Sequence, residues 1–336
     1  MTPDPHPEAT PDLAARSCAP VAVVIVTWNS ARYLPGCLGS VRALTRRPAE
    51  AVVVDAASSD GSAETAARLY PEARVDACST NVGYCAGNNR GIRATSSPFV
   101  LVLNPDTLLE PDFLEQLLPA FEDPAVGMAA PKLLRFDRVT LDSAGQQLSR
   151  SRRPRDRGYG RRDRGRFDRD EEVFGACGAA ALYRRAMLDS VADPGPCYFD
   201  EAFFAFGEDL DLAWRARRLG WRAAYRHRAV GYHARGASIG DRVGPRRGAA
   251  FLARNAEVRF HILKNRYLCI LRNDTIAGYL GNLPFVLARD AALLLLALVV
   301  SPGALARLWR ERAAFSRAWS LGRLDAARAR DHVVTG

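Results

Sequence analysis

Between Phe199 and Arg222 the chain reads FDEAFFAFGEDLDLAWRARRLGWR. Asp200, Glu201, Glu208, Asp209 and Asp211 stand there among aromatic and leucine side chains. Two kinds of chemistry suit that mixture. Either the acids are the solvated face of an amphipathic helix, or one of them is a general base tuned by an apolar wall. Glu208, Asp209 and Asp211 open a stretch with helical spacing, where the helix dipole favours negative charge. Phe203, Phe204 and Phe206 can dehydrate the site and shift its pKa. Neighbouring helical residues point about 100° apart, so Glu208 and Asp209 cannot share one task. Asp211 is four residues before Arg215, the spacing of a structural ion pair.

Two further acids end apolar runs. LVLNPDT closes with Asn104 and Asp106. An apolar strand ending in close oxygen ligands can hold Mg²⁺ or Mn²⁺ against a diphosphate, and Asn-Pro-Asp is also an ordinary turn. VVVDAASSDGS ends its strand with Asp55. At the carboxyl end of a parallel strand, Asp55 can accept from a nucleobase N–H or a ribose hydroxyl. Its other reading is a helix cap, which suits Asp60 better. The first turn lacks GxGxxG, which argues against a dinucleotide fold.

These residues need strands and helices to position them. VAVVIVT (21–27), AVVVD (51–55), RVDA (74–77) and FVLVLN (99–104) are β-branched or apolar runs separated by helical patterns. That alternation predicts a doubly wound, mostly parallel α/β sheet. VFGACGAAALYRR (173–185) reads as a strand passing close to a ligand, and 221–238 as a last strand and loop. Residues 149–172 hold ten arginines against six acids, a composition expected of a mobile basic loop.

The 336 residues carry a net charge of +10 with 48% hydrophobic residues, so a large core and an anionic partner are both expected. Only Lys132 and Lys264 are lysines; the basic excess is arginine, which suits phosphate. Seven scattered cysteines without a CxxC pair argue against a zinc site and a disulfide framework, and suit a reducing compartment. Residues 1–19 are polar and proline-rich and read as a disordered leader rather than a targeting signal. Beyond residue 245 the chain reads as a helical extension. Its apolar run Ala291–Val300 is too short to span a bilayer unless 276–289 joins it, and Arg289 and Asp290 interrupt. LARLWRERAAFSRAWSLGRLDAARAR then reads as a basic amphipathic helix on a membrane surface, or as a helical pair packed on the main domain.

The ordered set VVIVTWNS, VVVDAASSDGS, NVGYCAGNN, VLNPDT, GACGAAALYRR, FDEAFFAFGEDLDLAWR and YHARGAS resembles family 2 glycosyltransferases of the GT-A fold, closest to the bacterial rhamnosyltransferase-like branch. The resemblance covers residues 20–245 as a catalytic domain and implies inverting transfer of a hexosyl group from a nucleotide sugar, helped by Mg²⁺ or Mn²⁺. It implies that Thr27, Asn29, Asp55, Asn81 and Gly83 contact the nucleotide. It implies Asp106 and His233 as metal residues and Asp209 as the base. Asn104 replaces the first acid of the metal motif, and Asp55-Ala56-Ala57-Ser58 replaces the usual Asp-Asn-Gly-Ser. Glu201, Glu208 and Asn104 are expected near the acceptor or behind the metal. Read without the family, a lone histidine such as His233 is more often structural than a ligand.

dTDP-rhamnose, then a UDP-hexose, is the donor this branch implies, and a lipid-linked glycan at the inner membrane face is the acceptor expected from the basic C-terminus. A different class is a non-catalytic nucleotide-sugar or membrane-binding module on the same fold; the presence of Asp106, Asp209 and His233 weighs against it. Nucleic-acid binding has only the charge in its favour, with no motif beside it.

Overall fold

A computed structural model describes residues 18–235 and 255–335, with side chains to 329. The β-branched run predicted as the first strand forms β1 (Cys18–Thr27), buried along nearly its whole length. It lies between two parallel neighbours, β2 (Arg47–Asp55) and β4 (Phe99–Leu103), with β3 (Arg74–Ala77) outside β2. Val24, Val100 and Val102 face one core and Val23, Ile25, Leu101 and Leu103 the other, the period-two alternation of a sheet covered on both sides. Helices α1 (Leu34–Ala43), α2 (Ser62–Leu69) and α3 (Gly83–Arg93) link these strands.

The sheet continues past β4 through an antiparallel strand. The small-residue segment yields β11 (Ala180–Arg184), inserted between β4 and β6 (Val126–Leu134) and antiparallel to both. β12 (Arg222–His233) runs parallel to β6. β5 (Thr107–Leu109) and β10 (Glu171–Val173) flank β12, and β7 (Leu141–Ser143) flanks β6, so the sheet is mixed but mostly parallel. Pro119 ends α4 (Phe113–Leu117) early, and the chain tightens into a 3₁₀ turn over Leu118–Glu122. α5 (Arg185–Val191) and α6 (Glu208–Arg218) complete this half. Strands β1, β2, β4 and β12 all end at one edge, where ligands bind in open sheets.

Residues 149–172, expected as a mobile basic loop, follow a defined course. β8 (Gln146–Leu148) and β9 (Pro154–Asp156) form a hairpin. Further on, Gly160 donates to the Leu141 carbonyl at 2.8 Å and Leu141 to the Arg161 carbonyl at 2.7 Å. The composition argument misses the interleaving of signs: Lys132 meets Asp163 and Asp168, Arg157 meets Glu171, and buried Phe167 lies under Arg157. At the N-terminus, Cys18 and Ala19 belong to β1 rather than to the leader, whose remaining residues 1–17 lie outside the described residues, as do 236–254. All seven cysteines are free.

The C-terminal segment is helical, as expected: α7 (Ala256–Asn273), α8 (Ile276–Gly281), α9 (Leu283–Val300), α10 (Pro302–Arg310) and α11 (Arg312–Thr335). α7 is a wall of the catalytic half, burying Phe260, Leu263 and Leu268. Its fully buried Arg272 pairs with Asp193 at 2.7 Å, Asp325 at 3.1 Å and Asp200 at 3.3 Å. α9 joins the apolar run to the residues before it and is the one helix among those described that is long and apolar enough to cross a membrane. Its interrupting Asp290 turns inward to Arg266 of α7 at 2.6 Å, while Leu287, Leu295, Leu298 and Val299 stay exposed.

Removing the guanidinium of Arg272 leaves three buried carboxylates without their shared cation. Arg272→Met is expected to lower unfolding stability by about 3–5 kcal/mol, measured by urea denaturation of the full chain.

Candidate active site

Thr27 and Asp55 are register partners at the ends of β1 and β2. Asp55 is buried and accepts from the Ser58 amide at 2.9 Å and the Ser58 hydroxyl at 2.5 Å. Asn29, with φ of 49°, donates its amide to Ser58 at 2.9 Å and accepts from the Ser59 amide at 2.8 Å. Asp60 accepts from the Ser62 amide at 3.1 Å and hydroxyl at 2.6 Å, one residue ahead of the α2 N-cap, Gly61, which carries no side-chain cap. Thr27 Oγ1 is buried without a hydrogen-bond partner, an acceptor and donor left open at the strand end.

The second loop is shaped by a close approach. Asn81 accepts from the Gly83 amide at 2.9 Å, turning the chain into α3. Gly83 has φ of 79°, and any Cβ there would overlap the Phe204 ring. Only glycine meets both demands. Thus the expected nucleotide residues fall in the three neighbouring connections that follow β1, β2 and β3 at the same sheet edge.

Asn104 and Asp106 follow β4, and His233 ends β12. The structure brings all three together: His233 Nε2 lies 3.3 Å from Asp106 and 3.5 Å from the Asn104 amide nitrogen. His233 Nδ1 meets Asp142 at 2.9 Å, and Arg235 meets the other oxygen of Asp142 at 2.6 Å. Burial alone would lift the Asp142 carboxyl; Arg235 and His233 overcome this and hold it at about 2. Burial would likewise lower His233, but its bonds to Asp106 and Asp142 raise it to about 9. That direction favours the protonated imidazole, which donates to both acids.

Among the described residues no group of three or more histidines, cysteines or acids is arranged to hold a metal by itself. What is present is one carboxylate, one imidazole fixed from behind by Asp142, and the buried Asn104 Oδ1, which has no partner. That donor set fits a hard divalent cation that takes its remaining oxygens from a diphosphate. Binding would release the proton from His233 Nε2.

Asp209 opens α6. Its Oδ2 accepts from the Gly178 amide at 3.0 Å and from Gln146 at 2.7 Å, and its Oδ1 from the Leu210 amide at 2.8 Å. Tyr84 donates to the Gly178 carbonyl at 2.8 Å. The next carbonyl, that of Ala179, accepts from the Asn104 amide at 2.9 Å, so one short strand connector joins the Asp209 carboxylate to the Asn104–Asp106 turn. Burial raises the Asp209 carboxyl above its ordinary value, and Asp156 adds to this against the Gly178 and Gln146 hydrogen bonds. Glu208 is buried, with Oε2 unpartnered; burial and then Asp209 push its carboxyl well up. Glu201 instead sits at the surface, accepting from Asn89 at 3.1 Å. Asp211 has the structural role, bonded to Arg215 at 2.8 Å and Asn273 at 2.7 Å.

Sequence reasoning missed Asp142, Gln146 and Tyr84, which act on the predicted residues through the folded chain. It also missed the α7 side chains. Asn265 Nδ2 lies 3.0 Å, 2.7 Å and 2.7 Å from the carbonyls of Phe203, Ala205 and Phe206, and Lys264 donates to Ala202 at 2.5 Å. His261 stacks on Phe204 with centroids 5.1 Å apart.

Residues 22–192, half of the chain, match the model of glycosyl transferase family 2. The chain belongs to this family. It is a glycosyltransferase, with the mixed α/β GT-A fold. It is 28% identical over 268 residues to an N-acetylglucosaminyl-diphospho-decaprenol L-rhamnosyltransferase of Mycobacterium tuberculosis, covering 73% of this chain and 84% of that one. Its fold is similar to a mannosyltransferase of Pyrobaculum calidifontis in complex with GDP-Man and Mn²⁺, with TM-score 0.52, 18% identity, and 97% and 90% of the two chains covered. It is also similar to GalNAc-T7 with UDP, GalNAc and Mn²⁺, with TM-score 0.54, 14% identity, and 75% and 47% covered.

If the glycosyltransferase uses Asp209 in its ionised form, rate is present above the raised pKa and falls as pH drops through it. The acid limb of kcat/KM is expected above the ordinary carboxylate value of about 4. Gln146→Ala removes a donor to the ionised form and is expected to move that limb further up. A pH–rate profile of the two proteins checks both statements.

Proposed function

We propose that this glycosyltransferase transfers rhamnose, with inversion, from dTDP-rhamnose to a hydroxyl of a lipid-linked glycan at the inner face of the cell membrane. The observation that carries this is the Asp209 carboxylate, held by Gly178 and Gln146 one connector away from Asn104, Asp106 and His233. A general base must lie on the acceptor side, opposite the leaving group, and needs only to reach the hydroxyl proton. Asp209 takes that proton as the acceptor oxygen bonds to the anomeric carbon. The bond from that carbon to the nucleoside diphosphate breaks at the same time, and the electron pair leaves with the diphosphate.

Thr27, Asn29 and Asp55 receive the nucleoside, with Asp55 reading the base, while Asn81 and Gly83 close the other side. The partner-free Thr27 Oγ1 supports this assignment. Asp106, His233 and Asn104 would hold Mg²⁺ or Mn²⁺, which supplies charge neutralisation at the departing diphosphate. The Mn²⁺ in two structural relatives supports that choice. Asp142 keeps His233 aimed at Asp106. Glu208, pushed towards its neutral form, adds no second negative charge beside Asp209. Glu201, bonded to Asn89, stays behind the acceptor side as a support.

The relative from Mycobacterium tuberculosis, whose name carries a diphospho-decaprenol acceptor and a rhamnosyl group, supports the donor and acceptor classes. The exposed apolar face of α9 and the exposed Trp309 on basic α10 support attachment to a membrane surface, with the extension lying on it as an interfacial element. A UDP-hexose is the second donor to test, by donor hydrolysis across a panel of nucleotide sugars.

Asp209→Asn is expected to lower sugar transfer by about 10²–10⁴-fold while calorimetric binding of the nucleotide is retained. Transfer at the wild-type rate in that variant removes Asp209 from the mechanism.

A further inference from the structure

Beside the Asp209 site, the β8–β9 hairpin meets the foot of α9. Arg153 and Arg155 belong to the hairpin, Arg266 to α7 and Arg289 to α9. Arg266 is almost fully buried. Its Nε pairs with Asp290 at 2.6 Å and its Nη1 donates to the carbonyls of Ser151 at 2.9 Å and Arg152 at 3.2 Å. Its Nη2 is buried with no partner, and so is Nε of Arg289. Burial lowers the Arg289 guanidinium, and Arg153, Arg266 and Arg155 add to this; Asp290 opposes them. Arg152, next in the turn, is already satisfied by Asp274 at 2.6 Å and by the Gly278 carbonyl.

Arg153, Arg155 and Arg266 all repel the Arg289 cation in a partly dry setting. Two of them keep buried donors with nothing to donate to, which calls for an acceptor from outside the chain. Guanidinium forks match phosphate oxygens. The site differs from the donor diphosphate position, which the Asn104–Asp106 turn marks.

Hairpin register fixes where this cluster stands. Gln146, which holds Asp209, is paired with Asp156, and Gln147 with Arg155. Arg153 lies three residues from Asp156, about 10 Å along an extended strand. In the hairpin turn, Arg150 lies 4.0 Å from the ring of exposed Phe285 at the start of α9. Moving outward, the order is carboxylate, cations, apolar helix. A prenyl-linked acceptor has the matching order of sugar hydroxyl, diphosphate and hydrocarbon.

We propose that Arg153, Arg155, Arg266 and Arg289 form a subsite for the diphosphate of a prenyl-linked acceptor. This deepens the lipid-linked acceptor reading and rests on it. Arg266 also anchors Asp290, so the test uses the two less buried positions. The full chain, as wild type, Arg289→Gln, Arg155→Gln and Arg289→Lys, is titrated with farnesyl diphosphate and separately with uridine diphosphate. Each glutamine variant is expected to bind farnesyl diphosphate about tenfold more weakly, with partial rescue by lysine. Uridine diphosphate binding is expected to stay unchanged. Inorganic pyrophosphate and farnesol are each expected to bind more weakly than farnesyl diphosphate. Relief of like-charge repulsion is expected to leave the melting temperature of Arg289→Gln unchanged or raised. Wild-type farnesyl diphosphate binding in both glutamine variants overturns the proposal, as does a lowered melting temperature for Arg289→Gln or equally tight binding of inorganic pyrophosphate. Because binding is read without transfer, an absence of sugar transfer counts against the proposed function alone.

Discussion

The loop from Ala202 to Gly207 depends on contacts made far away in sequence. Phe204 and Phe206 have φ of 64° and 74°, values that side chains with a Cβ adopt at a cost of about 1–3 kcal/mol each. Within the loop the Ala205 amide donates to the Phe203 carbonyl at 2.8 Å, and α7 supplies further contacts. The amide of Asn265 gathers three of the loop's carbonyls, Lys264 takes a fourth and His261 covers Phe204. The same loop delivers Asp209 at its end and presses Phe204 onto Gly83 at its start. One helix of the extension therefore sets both Asp209 and the loop at Gly83.

Charge follows the same logic. Arg215, Arg272 and Asn273 bind Asp193, Asp200 and Asp211 in the layer between α6 and α7. Burying that many ions is tolerable only when each has partners, and it makes the helix inseparable from the catalytic half. In that layer Asn273 Oδ1 is buried without a partner. Thr27 Oγ1, Asn104 Oδ1 and Glu208 Oε2 are unpartnered too, around the sheet edge.

Much of this was legible in the sequence. Continuous β-branched runs gave away buried parallel strands, and acids at their ends gave the edge where chemistry sits, because strand ends are where polar groups can converge without disrupting the ladder. Asp106, His233 and Asp209 were singled out through motifs, and the fold links them through the Gly178–Ala179 connector and the Asn104–Asp106 turn. The arginine-rich segment misled because composition sums charge, whereas folding pairs it: Lys132 with Asp163, Arg157 with Glu171. Asp142, Gln146 and Asn265 left no signal, since each acts at a distance of more than sixty positions or from an unremarkable context, and only the tertiary structure brings it to its partner. Asp290 looked like an interruption of a membrane helix; it ties that helix to Arg266 of α7.

The account stands on the claim that α7 holds the loop that aims Asp209. Steady-state kinetics of Asn265→Ala, with nucleotide binding measured on the same preparation, tests it most directly. Loss of the clamp is predicted to reduce kcat by about a hundredfold through misplacement of the base, with the nucleotide dissociation constant near the wild-type value and the chain still folded. An unchanged kcat in a folded Asn265→Ala protein would contradict it.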